Sequence, residues 1–175
     1  MQRELIKYQP YRDEHGWVTE APFEYARRMK LTVLPNWPEE VLIEWLHRHA
    51  DFIDKYAFLR FETFSFSREP WPLEYIPGRQ AFADERFCDS FSNIEERAKN
   101  PYDWLAIYML REGTWNTPIV FLQNKLGQFR FPYGLPLKHP YHLLEGHRRL
   151  SFLNGLRRIG KALPIHDVWV VTKHR

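Results

Sequence analysis

The chain has 175 residues, of which 44% are hydrophobic and 27% charged, and its formal net charge is +3. This length and composition predict a globular domain with its own core and exclude a disordered chain. The helices and strands predicted below make it an α+β domain. A net charge of +3 is too small to indicate nucleic-acid binding by itself, although the sequence pI is about 9.0.

The first elements are predicted from prolines and from helical spacing. Residues 1–35 are expected to be an irregular polar segment, because three prolines interrupt it. A helix is expected to begin at 36–40, where a capping residue is followed by a proline and by acids near the positive end of the helix dipole. It continues to near Ala57, and its core-facing residues are expected to be Leu42, Trp45, Leu46, His49, Phe52, Ile53 and Tyr56.

A strand, a long loop and short helices are predicted next. The segment 60–67 is β-prone, and the proline-rich segment 68–91 is expected to be a loop. Ser92 and Glu95 fit a capping box, and a helix that restarts near residue 100 ends at Gly113. Residues 36–112 are therefore predicted to form a helical elaboration with one strand.

The last third of the chain is predicted to run strand, strand, helix, strand. Apolar runs indicate strands at 117–122, 141–144 and 164–172, and apolar residues at helical spacing indicate a helix over 146–159. The inward residues of that helix are expected to be Phe152, Leu153, Leu156 and Ile159. We predict one domain over residues 1–175, with 113–172 as its core.

The pattern Glu145-Gly146-His147-Arg148-Arg149 stands where the last helix begins. A glycine at a helix start lets backbone N–H groups approach an anion. The two arginines add forked donors that fit phosphate oxygens, and His147 adds a group that titrates near neutral pH. Glu145 is a candidate to orient an arginine, to bind a metal or to accept a proton. The pattern predicts an anion site.

Three segments together resemble the core of ParB-like and sulfiredoxin-like domains. They are Thr117-Pro118-Ile119-Val120, Tyr141-His142-Leu143-Leu144-Glu145-Gly146-His147-Arg148-Arg149-Leu150, and Leu163-Pro164-Ile165-His166-Asp167-Val168. Domains of this family run from a Pro-Ile strand, through a strand that ends in an acidic-Gly-x-x-Arg motif, to an Ile-Pro-Val-type strand. The resemblance covers residues 113–172. It implies a small mixed sheet with packed helices, to which the N-terminal part adds a helical elaboration.

The resemblance also implies a ligand and a set of site residues. In the family the Gly-x-x-Arg segment holds nucleotide phosphates, which corresponds here to Gly146, His147, Arg148 and Arg149. Thr117, Pro118 and Ile119 would form part of the nucleotide pocket. The implied cofactor is a nucleoside di- or triphosphate with Mg²⁺, and the implied activity is phosphoryl or phosphodiester chemistry.

Catalytic residues are expected on the same grounds. Glu145 and His147 are the candidates within the motif, and an acid on an earlier segment assists catalysis in enzymatic members. Glu62 is the first candidate for that acid, and its rivals are Glu69, Asp84 and Glu85. The motif reads Gly-His-Arg-Arg where sulfiredoxins have Gly-Cys-His-Arg, so we do not expect sulfinic-acid reduction.

A second hypothesis is a non-catalytic adaptor that binds nucleic acid or protein. The stretch 147–161 contains four arginines and one lysine and no acid, which suits DNA phosphates. A third hypothesis is an adaptor or immunity-type factor in which the phosphate site is vestigial. No metal site is predicted, because His139, His142, Glu145 and His147 would have to converge at about 2.0–2.2 Å around one ion.

Cysteine content and hydropathy bear on the compartment. Cys88 is the one cysteine, which excludes an internal disulfide and favours a reducing compartment. Residues 1–10 lack the apolar run of a signal peptide, and no window approaches the roughly 18 apolar residues of a membrane span. We therefore expect a cytoplasmic protein without a membrane partner.

Overall fold

A computed structural model describes residues 6–82 and 85–174 of the chain. The chain divides into two compact units, one formed by Met1–Phe66 with Thr172–Arg175 and the other by Ser67–Val171. Helices and a mixed four-stranded sheet confirm the predicted α+β class. Within the described ranges, no helix is long and apolar enough to cross a membrane.

The first unit contains a helix that the sequence analysis missed. Helix α1 spans Pro22–Thr32 and buries Tyr25, Ala26 and Met29. The prediction that 1–35 is irregular was wrong over this range. The proline lies at the first helical position, where its missing N–H costs no hydrogen bond, so it begins a helix instead of breaking one. A short 3₁₀ helix, Ile6–Tyr8, precedes α1.

The helix predicted from residue 36 to residue 57 is three different helical segments. A short α-helix, α2, spans Glu39–Val41, a π-helix follows at Leu42–His47, and a 3₁₀ helix occupies Ala50–Leu59. The change of helix type rotates the faces, so His49 and Phe52, which were predicted to face the core, are exposed. The other predicted core residues, among them Trp45 and Tyr56, are at least half buried.

Aromatic rings form the centre of the first unit. The Trp37 ring lies 5.5 Å from Phe61, 5.8 Å from Phe64 and 5.6 Å from Trp45, measured between centroids. Its indole N–H donates to the carbonyl oxygen of Phe61 at 3.1 Å. This cluster is a packed core with its polar atom satisfied, and such a core does not offer a surface for stacking bases.

The sheet has strand order β1-β4-β2-β3. Its strands are β1 at Phe64–Pro72, β2 at Ile119–Gln123, β3 at Tyr141–Glu145 and β4 at Ile165–Lys173. The predicted loop over 68–91 was wrong, because β1 continues through Pro70 to Pro72. Proline is tolerated there since β1 is an edge strand and need not donate on its outer side.

Helices of the second unit pack on this sheet. Helix α3 spans Glu85–Phe91, α4 spans Ile94–Ala98, α5 spans Trp104–Glu112 and α6 spans His147–Arg158. The side chain of Asn93 caps α4, one residue after the predicted capping residue Ser92. The side chain of Asp103 caps α5, three residues after the predicted helix start at residue 100. Helix α5 ends at Gly113, which has φ of +71° as a helix-terminating glycine requires. The predicted order of strand, strand, helix, strand is confirmed.

Candidate functional site

The start of α6 lies at one edge of the sheet together with the starts of two strands. β3 runs antiparallel to β2, so Glu145 at the end of β3 lies opposite Val120 near the start of β2. β2 and β4 are parallel, with Ile119 opposite Val168, so both strands begin at this edge. The edge therefore collects the predicted motif 145–149 with the segments that precede β2 and β4.

Gly146 allows the start of α6 to lie against β2. Its φ is +98°, and a Cβ added there would lie 2.4 Å from Cγ2 of Ile119, so both the backbone and the available space require glycine. In the described structure no side chain caps α6 and no acid lies in its first turn. In any α-helix the first N–H groups have no acceptor within the helix itself.

Arg149 is buried and forms internal hydrogen bonds. Its guanidinium donates to the carboxylate of Glu145 and, at 2.8 Å, to the carbonyl oxygen of Thr117. The side chains of Arg149 and Glu145 are only 6% and 11% exposed. Arg149 therefore ties the end of β3 and the start of α6 to the segment before β2. That it also holds a phosphate stays a prediction.

Arg148 points to the surface and is paired with a buried acid. Its Nη2 donates to Oδ2 of Asp103 at 2.5 Å, and the Arg148 side chain is 43% exposed while that of Asp103 is 5% exposed. The guanidinium carbon lies 5.5 Å from the ring centroid of Phe91 and 5.4 Å from that of Phe152. Of the two motif arginines, Arg148 is the one that an anion from solvent can reach.

His147 is half-buried at the first position of α6. Its ring makes edge contacts with Phe82 and Phe87, at centroid distances of 6.0 Å and 5.9 Å. These contacts hold the imidazole beside the helix start. The structure thus brings Glu145, Gly146 and Arg149 together with the predicted strand residues, while His147 and Arg148 lie on the aromatic side of the same helix end.

The remaining arginines of α6 bind backbone carbonyl groups. Nη2 of Arg157 donates to the carbonyl oxygens of Leu73 at 2.6 Å and Ile76 at 2.7 Å. Nη2 of Arg158 donates to the carbonyl oxygen of Ser92 at 2.6 Å. The basic helix therefore holds neighbouring segments in place, which weakens its interpretation as a surface for DNA.

A pocket of about 270 Å³ opens at the same sheet edge. The segment before β2 contributes Thr114, Trp115, Asn116 and Pro118, β4 contributes Ile165, His166 and Asp167, and β1 contributes Arg68. Nε and Nη2 of Arg68 both donate to Oδ2 of Asp167, at 3.0 Å and 2.7 Å. Pro118 is the predicted pocket residue that lines it. The pocket adjoins Thr117, whose carbonyl binds Arg149.

His166 forms the buried wall of this pocket. Its Nε2 lies 2.8 Å from the carbonyl oxygen of Leu163, and its Nδ1 lies 2.7 Å from the hydroxyl of Thr114. Because a carbonyl only accepts, Nε2 carries the proton and Nδ1 accepts from Thr114 in the neutral ring. Burial lowers the pKa of His166 below 6.5, the positive charge of Arg157 lowers it further, and the bond to Leu163 opposes both.

We expect the free energy of unfolding to decrease as the pH is lowered, because His166 resists protonation in the folded chain. A lowered pKa in the folded state means that the unfolded chain binds the proton more readily, so the contribution is complete above pH 6.5 and is lost as the pH falls below it. Urea unfolding at pH 7 and at steps below 6.5 should show this loss, and His166→Gln should make the slope shallower. His15→Gln, at an exposed histidine, is the control; equal slopes in both variants would contradict the assignment.

Glu62 and Glu69, two of the acids predicted on earlier segments, have partners of their own. Glu62 belongs to the first unit and pairs with Lys7. Burial raises its pKa, but hydrogen bonds from Lys7 and Tyr8 outweigh burial, and the net shift is downward. Glu69 accepts from Ser67 at 2.7 Å and from the Trp71 indole at 2.8 Å. Asp84 and the side chain of Glu85 lie outside the described residues.

The histidines near the motif do not form a metal site within the described residues. His142 is buried in β3, and its Nδ1 accepts from the backbone N–H of Lys138 at 3.2 Å. Among residues 6–82 and 85–174, no three His, Cys, Asp or Glu side chains are arranged to hold a metal ion.

Sequence reasoning missed Asp103, Arg68, Asn116 and the pair His166-Asp167. Asp103 carried a readable signal, since it directly precedes the apolar face of a helix, as a capping residue does. The pocket residues come from segments up to 99 positions apart, and nothing in their local pattern indicates that they meet.

No protein-family model, curated protein or solved structure matches this chain.

Proposed function

We propose that the chain is a binding module for a small phosphate-bearing ligand such as a nucleotide. The phosphate would contact the first turn of α6 and Arg148, and the pocket would take the adjoining part of the ligand. The observation that carries the proposal is the pocket of about 270 Å³ at the sheet edge where α6 begins. The pocket gives room for a ligand and the helix start gives donors for its charge, and both lie at the end of the sheet where β2 begins.

The electrostatics of this edge favour an anion. The first N–H groups of a helix carry about half a positive charge through the helix dipole, and no acidic residue of the first turn of α6 offsets it. Arg148 adds a guanidinium within reach of solvent. Arg68 also lines the pocket, where it is paired with Asp167. The pocket is slightly smaller than the roughly 300–1,000 Å³ of drug-sized sites, which suits one part of a nucleotide.

The proposal is for binding and does not extend to a reaction. Glu145 would have to leave the buried guanidinium of Arg149 before it could accept a proton. His147 is the other candidate within the motif, and its ring makes edge contacts with Phe82 and Phe87. Phosphoryl or phosphodiester chemistry with Mg²⁺ therefore stays a hypothesis that turnover assays address once a ligand is found. DNA is a less favoured partner, since Arg157 and Arg158 bind carbonyl groups.

Pyrophosphate and ATP, each with and without Mg²⁺, are expected to raise the melting temperature of the wild-type chain. A ligand at about 100 times its dissociation constant adds about 2.7 kcal/mol of stability, which is easily measured. Arg148→Gln should weaken pyrophosphate binding about tenfold, because it removes a charged hydrogen bond. The matched control is Arg111→Gln, which alters an exposed arginine that is also paired with an acid.

A pocket variant separates the two parts of the site. Arg68→Gln is expected to weaken ATP and to leave pyrophosphate unchanged, because pyrophosphate has no group to place in the pocket. The absence of any melting shift up to millimolar ligand would overturn the proposal. So would equal shifts in the wild type and Arg148→Gln, because the anion would then bind elsewhere.

A further inference from the structure

We propose that Asp103 is a built-in counter-ion which a ligand must displace from Arg148. The inference rests on the proposed function, because it concerns the same anion site. It adds a statement about ligand class: the site favours doubly charged phosphate groups over singly charged anions.

The two oxygens of Asp103 have separate partners. Oδ1 accepts the backbone N–H of Ala106 at 3.2 Å and so caps α5, while Oδ2 accepts from Arg148 at 2.5 Å. The carboxylate is thus fixed by the helix that it caps, whereas the arginine side chain is 43% exposed and has room to turn. Exchange of partners would therefore move Arg148 and leave Asp103 in place.

Displacement of Asp103 has an energetic cost that sets the selectivity. The Asp103 side chain is 5% exposed, so separation from Arg148 leaves a poorly solvated carboxylate. A monoanion such as acetate replaces one carboxylate by another and gains nothing from the exchange. A phosphate dianion or pyrophosphate presents more charge and more acceptor oxygens to Arg148 and to the first turn of α6. The pair therefore excludes weak anions.

Asp103→Asn tests the inference directly. Asparagine caps helices about as well as aspartate, so the variant keeps the bond to Ala106 and removes the charge. We expect the dissociation constant for pyrophosphate, measured by calorimetry, to fall about tenfold, as for loss of one competing charged hydrogen bond. Acetate, which we expect not to compete in the wild type, should become a measurable competitor in the variant. Asp103→Ser, also a good capping residue, is the second neutral variant.

Two further variants control the result. Asp51→Asn neutralises an aspartate that pairs with Arg12 at 2.7 Å in the first unit, and it should not change pyrophosphate binding. Asp103→Asn combined with Arg148→Gln should lose the gain in affinity.

The outcomes distinguish this inference from the proposed function. Much tighter binding of pyrophosphate by Asp103→Asn than by the wild type supports the inference. Equal affinity in the wild type and in both neutral variants overturns it and leaves the proposed function intact. No binding by any of these proteins overturns both.

Discussion

Arg149→Ala is expected to lower the free energy of unfolding by about 3–5 kcal/mol, the usual cost of removing one partner from a buried ion pair. The carboxyl group of Glu145 would be left at a position that is 11% exposed, without its counter-ion. The carbonyl oxygen of Thr117 would lose a donor as well. Urea unfolding followed by tryptophan fluorescence measures the loss.

The same ion pair offers a rescue and a matched control. Arg149→Met combined with Glu145→Leu should recover much of the stability, because apolar residues of similar volume often replace a buried pair without loss. Arg111→Ala, at an exposed arginine, should change stability by no more than about 0.5 kcal/mol. A loss below about 1 kcal/mol in Arg149→Ala would show that the pair is not structural, since that is the average effect of any substitution.

The expected instability of Arg149→Ala bears on how the ligand site is tested. The sequence alone predicts that this substitution removes nucleotide binding with little loss of fold. The burial of Arg149 predicts instead that the substitution mainly destabilises the fold. Loss of binding in this variant would then be a consequence of disrupted structure at this end of the sheet. Arg148 is the better probe, because its side chain is half-exposed and its loss leaves the buried pair intact.

The last third of the chain was predictable because its local signals agree with its packing. Apolar runs gave β2, β3 and β4, and the apolar spacing of 146–159 gave α6 with Phe152, Leu153 and Leu156 buried. What the sequence left open is where each charge finds its partner. Arg148 meets Asp103, 45 positions earlier, and Arg157 meets carbonyl groups more than 80 positions earlier. Only tertiary folding brings such partners together. From the sequence alone, a basic stretch is therefore predicted to be an exposed surface.

Prolines account for two of the errors in the first half of the chain. Pro22 begins α1, and Pro70 and Pro72 lie in β1. Proline interrupts the middle of a helix or an inner strand, but it fits the first turn of a helix and the outer side of an edge strand. For Pro22 the outcome depends on where the helix begins. For Pro70 and Pro72 it depends on strand order, which is a property of the whole sheet.

Gly146→Ala is expected to destabilise the chain by about 2–5 kcal/mol, the sum of two separate effects. An L residue at φ of +98° costs roughly 1–2 kcal/mol by strain alone. The new methyl group would also lie 2.4 Å from Cγ2 and 2.6 Å from Cβ of Ile119, and overpacking of a full core costs about 1–3 kcal/mol. A smaller side chain at position 119, such as alanine, would not relieve the clash, because the Cβ of Ile119 is itself too close.

Gly134→Ala separates strain from crowding. Gly134 has φ of +91°, close to that of Gly146, but a Cβ there would meet nothing within 4 Å. Its substitution should therefore cost the strain alone, roughly 1–2 kcal/mol. Urea unfolding of both variants gives the crowding cost as the difference between them. Equal losses in the two variants would show that α6 does not begin in close contact with β2. Gly146 would then have no role in shaping the proposed anion site.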